Sequence, residues 1–100
     1  MYILLPMSSD DVSTSSLSKI DDAKIWTQVL VENGQLLEAN HSSDRDGFSS
    51  LSECAVVIDD NEYVWPFMEQ NMMVLVAHTQ RNLEEIIEAY LFKELHELAY

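Results

Sequence analysis

The sequence has few of the residues that mark several common classes of protein. It contains a single cysteine, Cys54, which excludes an internal disulfide, and it has no CxxC motif or His/Cys pair with zinc spacing. Its longest apolar runs are far shorter than the stretch of about 20 residues that spans a membrane. The apolar run over residues 2–6 has neither the basic flank nor the length of a signal peptide. These absences predict a cytoplasmic protein.

Basic side chains are also scarce, and this is the most unusual feature of the composition. Five lysines and arginines stand against eighteen aspartates and glutamates, which gives a net charge of −13 that both halves of the chain share. Such a surface repels nucleic acid and anionic membranes, because it offers no stripe of basic side chains for phosphates. The charge serves either solubility alone or the attraction of a basic protein partner.

The residues that are present indicate one folded domain over residues 1–100. Hydrophobic residues make up 47% of the chain, a share that suits a globule and is too high for a disordered acidic tail. The clearest helix begins at Asn82, which together with Glu85 has the spacing of a capping box. Apolar residues then recur with the 3.6-residue period as far as Leu98, so the pattern predicts one helix over 82–98.

Strand patterns occupy most of the remaining chain. Residues 24–32 alternate, and Asn33-Gly34 predicts a tight hairpin turn into a strand over 35–39. The other predicted elements are a strand over 2–6, a loop over 7–22, a short helix ending near Glu53, a strand over 55–58, a short helix within 62–71 and a strand over 72–77. This order predicts an α/β domain with a five-stranded mixed sheet flanked by helices, in which strand 2–6 is central.

Several of these stretches carry a family likeness. Ile3-Leu4-Leu5-Pro6 is similar to an opening strand that reads like IAIP, and Asn33-Gly34 falls where a DG-type turn joins two strands. Residues 74–77 and 82–91 are similar to a strand like VYLA and a helix like TVEEALEAFL. With these motifs the chain resembles the dinitrogenase iron–molybdenum cofactor biosynthesis family, which includes NifX-like proteins and the C-terminal domain of NifB-type proteins. The resemblance implies a ribonuclease H-like fold over nearly the whole chain.

The departures from the family pattern bear on function. The family's HFGR segment, implicated in holding a metal cluster, falls on Lys19-Ile20-Asp21-Asp22, where its His, Gly and Arg are absent. Its Gly-rich, His-containing stretch is shortened to residues 41–47, and residues 59–62 replace its GxxGPNAF turn. An anionic cluster is favoured by positive charge and by imidazole or thiolate ligands, whereas this chain offers aspartates. We therefore expect the scaffold to persist without a bound cofactor or metal.

Aspartates are concentrated where the predicted strands end. They are Asp10, Asp11, Asp21, Asp22, Asp59 and Asp60. Ligands of open α/β sheets gather at the carboxyl ends of the strands, and carboxylates there are able to hold Mg²⁺. A site made of Asp10, Asp59 and Asp60 would indicate a Mg²⁺-dependent hydrolase. The same charge would repel a phosphodiester substrate, which favours a solvated acidic rim or a partner-binding surface.

Two further groups of residues are candidates. His41 and Cys54 are the only remaining pair able to bind a soft metal or an iron–sulfur cluster, although a cysteine at a strand start is more often a small buried hydrophobe. Phe92 falls off the apolar stripe of the predicted helix, so we expect it to be exposed and to mark a contact patch together with Tyr100.

These observations favour a small, acidic, non-enzymatic accessory or adaptor protein on a NifX-like scaffold. Its partner would be a protein with a basic surface, and neither nucleic acid nor a membrane. We expect the six aspartates named above and Phe92 to contact this partner, with the loop over 8–22 and Asp59-Asp60 forming one negative surface. The alternative is a carrier of a metal or an iron–sulfur cluster held by His41 and Cys54, and the third possibility is the hydrolase.

Overall fold

A six-stranded mixed sheet organises residues 1–98, which are the residues that the computed structural model describes. The strands are β1 (Tyr2–Met7), β2 (Ile25–Glu32), β3 (Gln35–Ser42), β4 (Cys54–Val57), β5 (Met73–Val76) and β6 (His96–Leu98). The helices are α1 (Trp65–Glu69) and α2 (Leu83–Leu91), and a short 3-10 helix lies at Ile20–Asp22. The predicted α/β class is therefore confirmed.

The strands lie in the order β3-β2-β1-β4-β5-β6. β1 is antiparallel to β2 and parallel to β4, and β4 is parallel to β5. β2 pairs antiparallel with β3, and β5 pairs antiparallel with β6. The prediction that the first strand is central, with the hairpin on one side and two later strands on the other, is confirmed. The carboxyl ends of β1, β4 and β5 consequently meet at one edge of the sheet.

Within residues 1–98, each face of the sheet is covered by one α-helix. Ile3 and Leu5 of β1 pack with Ile86 of α2, whereas Leu4 packs with Phe67 of α1. Burial of alternate side chains on both faces explains why β1 reads as a continuous apolar run. No helix within residues 1–98 has the length and apolar character needed to cross a membrane.

The hairpin turn has the predicted geometry. Asn33 and Gly34 both adopt positive φ angles, of 54° and 75°, as a type I′ turn requires. The strand that follows is longer than predicted, because β3 continues to Ser42 and carries His41 within the ladder opposite Thr27. The strand after the turn also contains an irregularity of register opposite Leu30 and Val31.

The C-terminal helix is shorter than predicted, and the prediction of five strands is wrong for the same reason. α2 ends at Leu91, and Lys93 takes a left-handed conformation with φ of 58° that turns the chain back toward the sheet. Residues 96–98 then form β6, which pairs with β5 through His96 and Val76. Leu95 and Leu98 had extended the helical pattern, but they pack on opposite faces of the sheet. The helical spacing of apolar residues therefore extends to Leu98, seven residues beyond the end of the observed helix at Leu91.

The two connecting segments also differ from the prediction. Residues 43–53 form turns instead of a short helix ending near Glu53, and Asp44 accepts a hydrogen bond from the backbone of Gly47 across 3.0 Å. The predicted loop over 7–22 contains two isolated β-bridges and the 3-10 helix, which the sequence did not predict. Its strand-like bridges join Met7 to Leu17 and Ser16 to Asn82.

The start of α2 provides a test of local stability. The side chain of Asn82 accepts a hydrogen bond of 2.8 Å from the backbone N–H of Glu85, whose carboxylate accepts one of 3.3 Å from the backbone of Asn82. We expect Asn82→Ala to lower the free energy of unfolding by about 1 kcal/mol, since a helix N-terminal donor loses its partner. Urea denaturation followed by circular dichroism measures this change.

The control is Glu84→Ala, which alters an exposed residue of the same helical turn that takes no part in the cap. It should change stability by less than about 0.5 kcal/mol. Equal effects of the two substitutions would show that the cap does not stabilise α2.

Candidate functional site

The carboxyl edge of the parallel strands is the part of the fold where the predicted site residues are concentrated. The acidic loop over 8–22 follows β1, Asp59 and Asp60 follow β4, and His78 follows β5. This is the edge at which open α/β sheets bind ligands. Sequence reasoning therefore placed the candidate residues at a plausible edge, and the side-chain contacts decide which of them lie together.

Glu62 joins two of the acidic segments. Its carboxylate accepts one hydrogen bond of 2.6 Å from the backbone N–H of Ile20 and another of 2.8 Å from that of Ile58. Ile20 begins the 3-10 helix that carries Asp21 and Asp22, and Ile58 directly precedes Asp59 and Asp60. One carboxylate therefore fixes both aspartate pairs at the same edge.

We define the acidic edge as Asp21, Asp22, Asp59 and Asp60. The backbone around Asp21 and Asp22 is held further by hydrogen bonds from Ser18 to Pro6 and from Lys24 to Met7, which tie both ends of this segment to β1. Asp21, Asp22 and Asp60 are exposed and Asp59 is half-buried. The acidic edge is thus a set of solvated carboxylates on ordered backbone.

Little positive charge offsets these carboxylates. Within residues 1–98 no lysine or arginine forms an ion pair with an aspartate or glutamate, and the ion pairs of this region involve the N-terminal amine and His78. Arg81 lies near the edge, but its guanidinium donates to the carbonyl oxygens of Ala77, His78 and Gln80. Within the described residues, the negative charge of the acidic edge is therefore not neutralised by lysine or arginine.

Asp60 is the exception, because it has a histidine partner. Nε2 of His78 lies 2.9 Å from Oδ1 of Asp60 and donates to it, since a carboxylate only accepts. The ring of His96, at the start of β6, lies 6.2 Å from the ring of His78. The hydrogen bond from His78 lowers the pKa of Asp60 below its usual value, and the charges of His78 and His96 act in the same direction.

Asp10 and Asp11 lie on a separate turn toward the α2 face. Oδ1 of Asp11 accepts hydrogen bonds from the backbone and hydroxyl of Ser13, at 3.0 and 2.7 Å, and these bonds lower the pKa of Asp11. Val12 and Ser13, which follow in the same turn, line a groove beside α2. The contacts to Glu62 that join the other aspartates do not include Asp10 or Asp11.

Phe92 has the exposure that the sequence predicted. It follows α2, its backbone N–H donates to the carbonyl oxygen of Glu88, and its side chain is 70% exposed. Leu91, beside it, is 39% exposed, so the end of α2 presents apolar surface. Tyr100, the other member of the predicted patch, lies outside the described residues.

The structure does not bring His41 and Cys54 together. Cys54 pairs with Ile3, which pairs with Val29, which pairs with Ala39, two residues before His41. Three strand spacings separate Cys54 from β3, a distance of about 14 Å, whereas ligands of one metal lie about 2 Å from it. His41 is hydrogen-bonded to Thr27 through Nδ1, at 2.9 Å. The predicted ligand pair is therefore wrong.

The aspartates do not form a Mg²⁺ site either. Among residues 1–98, no three His, Cys, Asp or Glu side chains are arranged so that they could share a metal ion. Asp60 is oriented by His78, and Asp10 lies on the turn toward α2, so the proposed set of Asp10, Asp59 and Asp60 is not assembled. The predicted hydrolase site has no support in this geometry.

Sequence reasoning missed the two residues that organise this edge. Glu62 contacts backbone N–H groups, one of them 42 residues away, so no spacing of side chains signals its role. His78 was recognisable only as a loop histidine, because its contact with Asp60 depends on the parallel pairing of β4 and β5. Both contacts arise from the tertiary fold.

Replacement of Glu62 tests its structural role. We expect Glu62→Ala to lower the free energy of unfolding by about 2 kcal/mol, because two partly buried N–H groups lose their acceptor. Hydrogen exchange at the amides of Ile20 and Ile58 should accelerate in this variant more than at other core amides. Urea denaturation and exchange measured by NMR provide the two readouts.

Glu69→Ala, on the exposed side of α1, is the matched control and should leave both readouts nearly unchanged. Unaltered exchange at Ile20 in the Glu62→Ala variant would contradict the assigned role.

The buried thiol provides a second test. Cys54 is fully buried, and burial raises the pKa of its thiol to about 12, with a further contribution from the charges of Glu97 and Glu53. At pH 8 only about one thiol in ten thousand would be ionised, so the folded protein should not react with a thiol reagent. Stoichiometric reaction should appear on addition of urea. Rapid labelling of the folded protein would indicate an accessible Cys54 and would reopen its candidacy as a ligand.

Comparisons with known proteins address the fold. Comparison with protein-family models finds no match, and neither does comparison with curated proteins. A crystal structure from Methanocaldococcus jannaschii, provisionally described as a dinitrogenase, matches with a TM-score of 0.75 at 14% identity, over 99% of this chain and 95% of that one. An NMR structure from Thermotoga, provisionally described as a NifB protein, matches with a TM-score of 0.70 at 16% identity, over 99% of this chain and 94% of that one. The resemblance found in the sequence is thus confirmed as a shared fold over nearly the whole chain.

Proposed function

We propose that this chain is a non-enzymatic accessory or adaptor protein of the cytoplasm that binds a basic protein partner through the acidic edge. The observation that carries the proposal is the double hydrogen bond of Glu62, which holds Asp21 and Asp22 beside Asp59 and Asp60. Carboxylates that served solubility alone would not need fixed positions. A partner that recognises the spacing of the carboxylates would require them to be held on ordered backbone.

The electrostatics support the same function. The chain carries a net charge of −13, and its lysines and arginines within residues 1–98 do not pair with carboxylates. A basic surface would therefore be attracted over a distance of several ångströms and would associate quickly. The attraction should weaken with salt, because exposed charges are screened over about 8 Å at physiological ionic strength.

The scaffold is consistent with a descendant of cofactor-carrying domains. The proposal includes a ribonuclease H-like architecture, which the strand order supports, with an antiparallel hairpin on one side of β1 and parallel β4 and β5 on the other. The segment that resembles the family's cluster-binding motif is occupied by Lys19 and the 3-10 helix Ile20–Asp22. In this proposal the edge that serves a cluster in the family serves a protein here.

Capture experiments with charge-matched variants test the proposal. Immobilised wild-type protein should retain a basic protein from lysate, and Asp21→Asn/Asp22→Asn/Asp59→Asn/Asp60→Asn should retain at least about tenfold less, since four exposed charge pairs of up to about 1 kcal/mol each are lost. The purified partner should dissociate as salt rises.

The control Glu32→Gln/Glu38→Gln/Glu69→Gln/Glu97→Gln removes the same charge from elsewhere on the surface and should retain the partner nearly as well as wild type. Equal losses in the two variants would reduce the effect to net charge and contradict a specific acidic edge. Anaerobic reconstitution with iron and sulfide that yielded a stoichiometric chromophore would contradict the adaptor function.

A further inference from the structure

A groove with a volume of about 560 Å³ runs along one side of α2, away from the residues that define the acidic edge. One wall is α2, and the other is formed by Val12 in the turn after β1 and by Leu36 at the start of β3. Among residues 1–98, the nine-residue α2 is the one α-helix on this face of the six-stranded sheet, and it leaves the groove beside it uncovered. It is a feature of the fold that the acidic edge does not explain.

The walls of the groove are apolar and partly solvent-exposed. Val12 and Leu36 are each 41% exposed and Leu91 is 39% exposed, while Ile87 between them is buried in the core. Neighbouring exposed apolar side chains that line one concave surface are typical of a docking site for a partner. Val12, Leu36 and Leu91 come from a turn, a strand and a helix, so it is the tertiary fold that brings them to one groove.

The rim of the groove is negatively charged, and only part of this charge benefits α2. Glu84 lies in the first turn, where the helix dipole favours an anion, but Glu88 does not. Glu84 and Glu88 both line the groove, and as an i, i+4 pair of like charges they destabilise the helix. Glu88 also lies near the C-terminal end of α2, where the helix dipole disfavours an anion, and the last turn contains no basic residue. None of the described residues that line the groove is basic. A cation from a partner, placed between Glu84 and Glu88, would relieve both penalties.

We propose that this groove binds an amphipathic helical segment of the partner, with apolar side chains that enter the groove and lysines or arginines that contact Glu84 and Glu88. This inference rests on the proposed function and names a second contact for the same basic partner. Apolar anchors at i, i+3, i+4 and i+7 fit a groove that runs beside a helix about 14 Å long. A second copy of this chain is disfavoured as the occupant, because each copy carries a charge of −13.

The probe is a fluorescein-labelled peptide of leucine and lysine of about 14 residues, with leucines at i, i+3, i+4 and i+7. A peptide of the same composition in scrambled order is its control, because the two have equal charge but only the first has an apolar stripe. We expect the striped peptide to bind the full chain at least about fivefold more tightly than the scrambled one in fluorescence anisotropy. Equal affinities would overturn the proposal.

Substitutions in the groove give the second readout. Glu84→Gln/Glu88→Gln should weaken the striped peptide about fivefold, whereas Glu69→Gln/Glu97→Gln, which removes the same charge outside the groove, should weaken it less than about twofold. Leu36→Ser should also weaken binding of the striped peptide, because it removes an apolar wall of the groove. Leu51→Ser is the matched apolar control, since Leu51 is 90% exposed and lies outside the groove. Unchanged urea midpoints exclude unfolding as the cause. Equal effects within either matched pair would overturn the proposal.

Chemical-shift mapping separates this inference from the proposed function. Shifts at Leu36, Ile87 and Leu91 on addition of the striped peptide support the groove. Shifts confined to Asp21, Asp22 and Asp59 would overturn the groove while leaving the acidic edge in place. Absence of binding of either peptide at low salt would contradict both. Dimers that dissociate in the Leu36→Ser variant would identify a second copy as the occupant and overturn the proposal.

Discussion

Burial of β1 on both faces is the constraint on which the rest of the structure depends. Ile3, Leu5 and Met7 enter the core beneath α2, and Leu4 enters the core beneath α1. Each such side chain stabilises the fold by about 1.5–3 kcal/mol relative to exposure, so β1 is held at the centre of the sheet, and its register sets which side chains meet each helix. The register of β1 in turn fixes β2 on one side and β4 on the other.

The position of the acidic segments follows from this register. Because β1 is parallel to β4, and β4 to β5, the chain leaves all three strands at the same edge of the sheet. The aspartates that follow β1 and β4 must therefore approach one another, and Glu62 converts this proximity into a fixed arrangement through two backbone hydrogen bonds. The topology of the sheet brings the two aspartate pairs close together despite their like charge. Glu62 holds them there by accepting hydrogen bonds from backbone N–H groups.

The comparison between sequence and structure separates local from non-local information. The hairpin at Asn33-Gly34, the cap at Asn82 and the central position of β1 were predictable, since each depends on turn chemistry, capping spacing or strand pattern. The end of α2 was not predictable, because the left-handed residue that ends it is Lys93 and not a glycine. In addition, Leu95 and Leu98 keep the helical spacing although they lie in a bend and in a strand. Of the candidate site, the edge and the exposure of Phe92 were predictable. The contacts of Glu62 and His78 and the groove beside α2 depend on residues distant in sequence.

The apolar side chains of α2 stabilise the fold, whereas its exposed charges do so only in part. Leu83, Ile86 and Ile87 are buried, and their packing, at about 1.5–3 kcal/mol each, far exceeds the few tenths of a kcal/mol by which a like-charge pair destabilises a helix. The helix therefore folds despite the repulsion between Glu84 and Glu88. The helix dipole accounts for an acidic residue at Glu84 in the first turn, but helix stability does not explain why Glu88 is acidic. The groove that they border and the acidic edge both lack lysine and arginine partners within residues 1–98. The proposed recognition of a basic, amphipathic partner accounts for two features that a role in solubility alone does not: both surfaces leave negative charge unpaired, and one of them is lined by exposed apolar side chains.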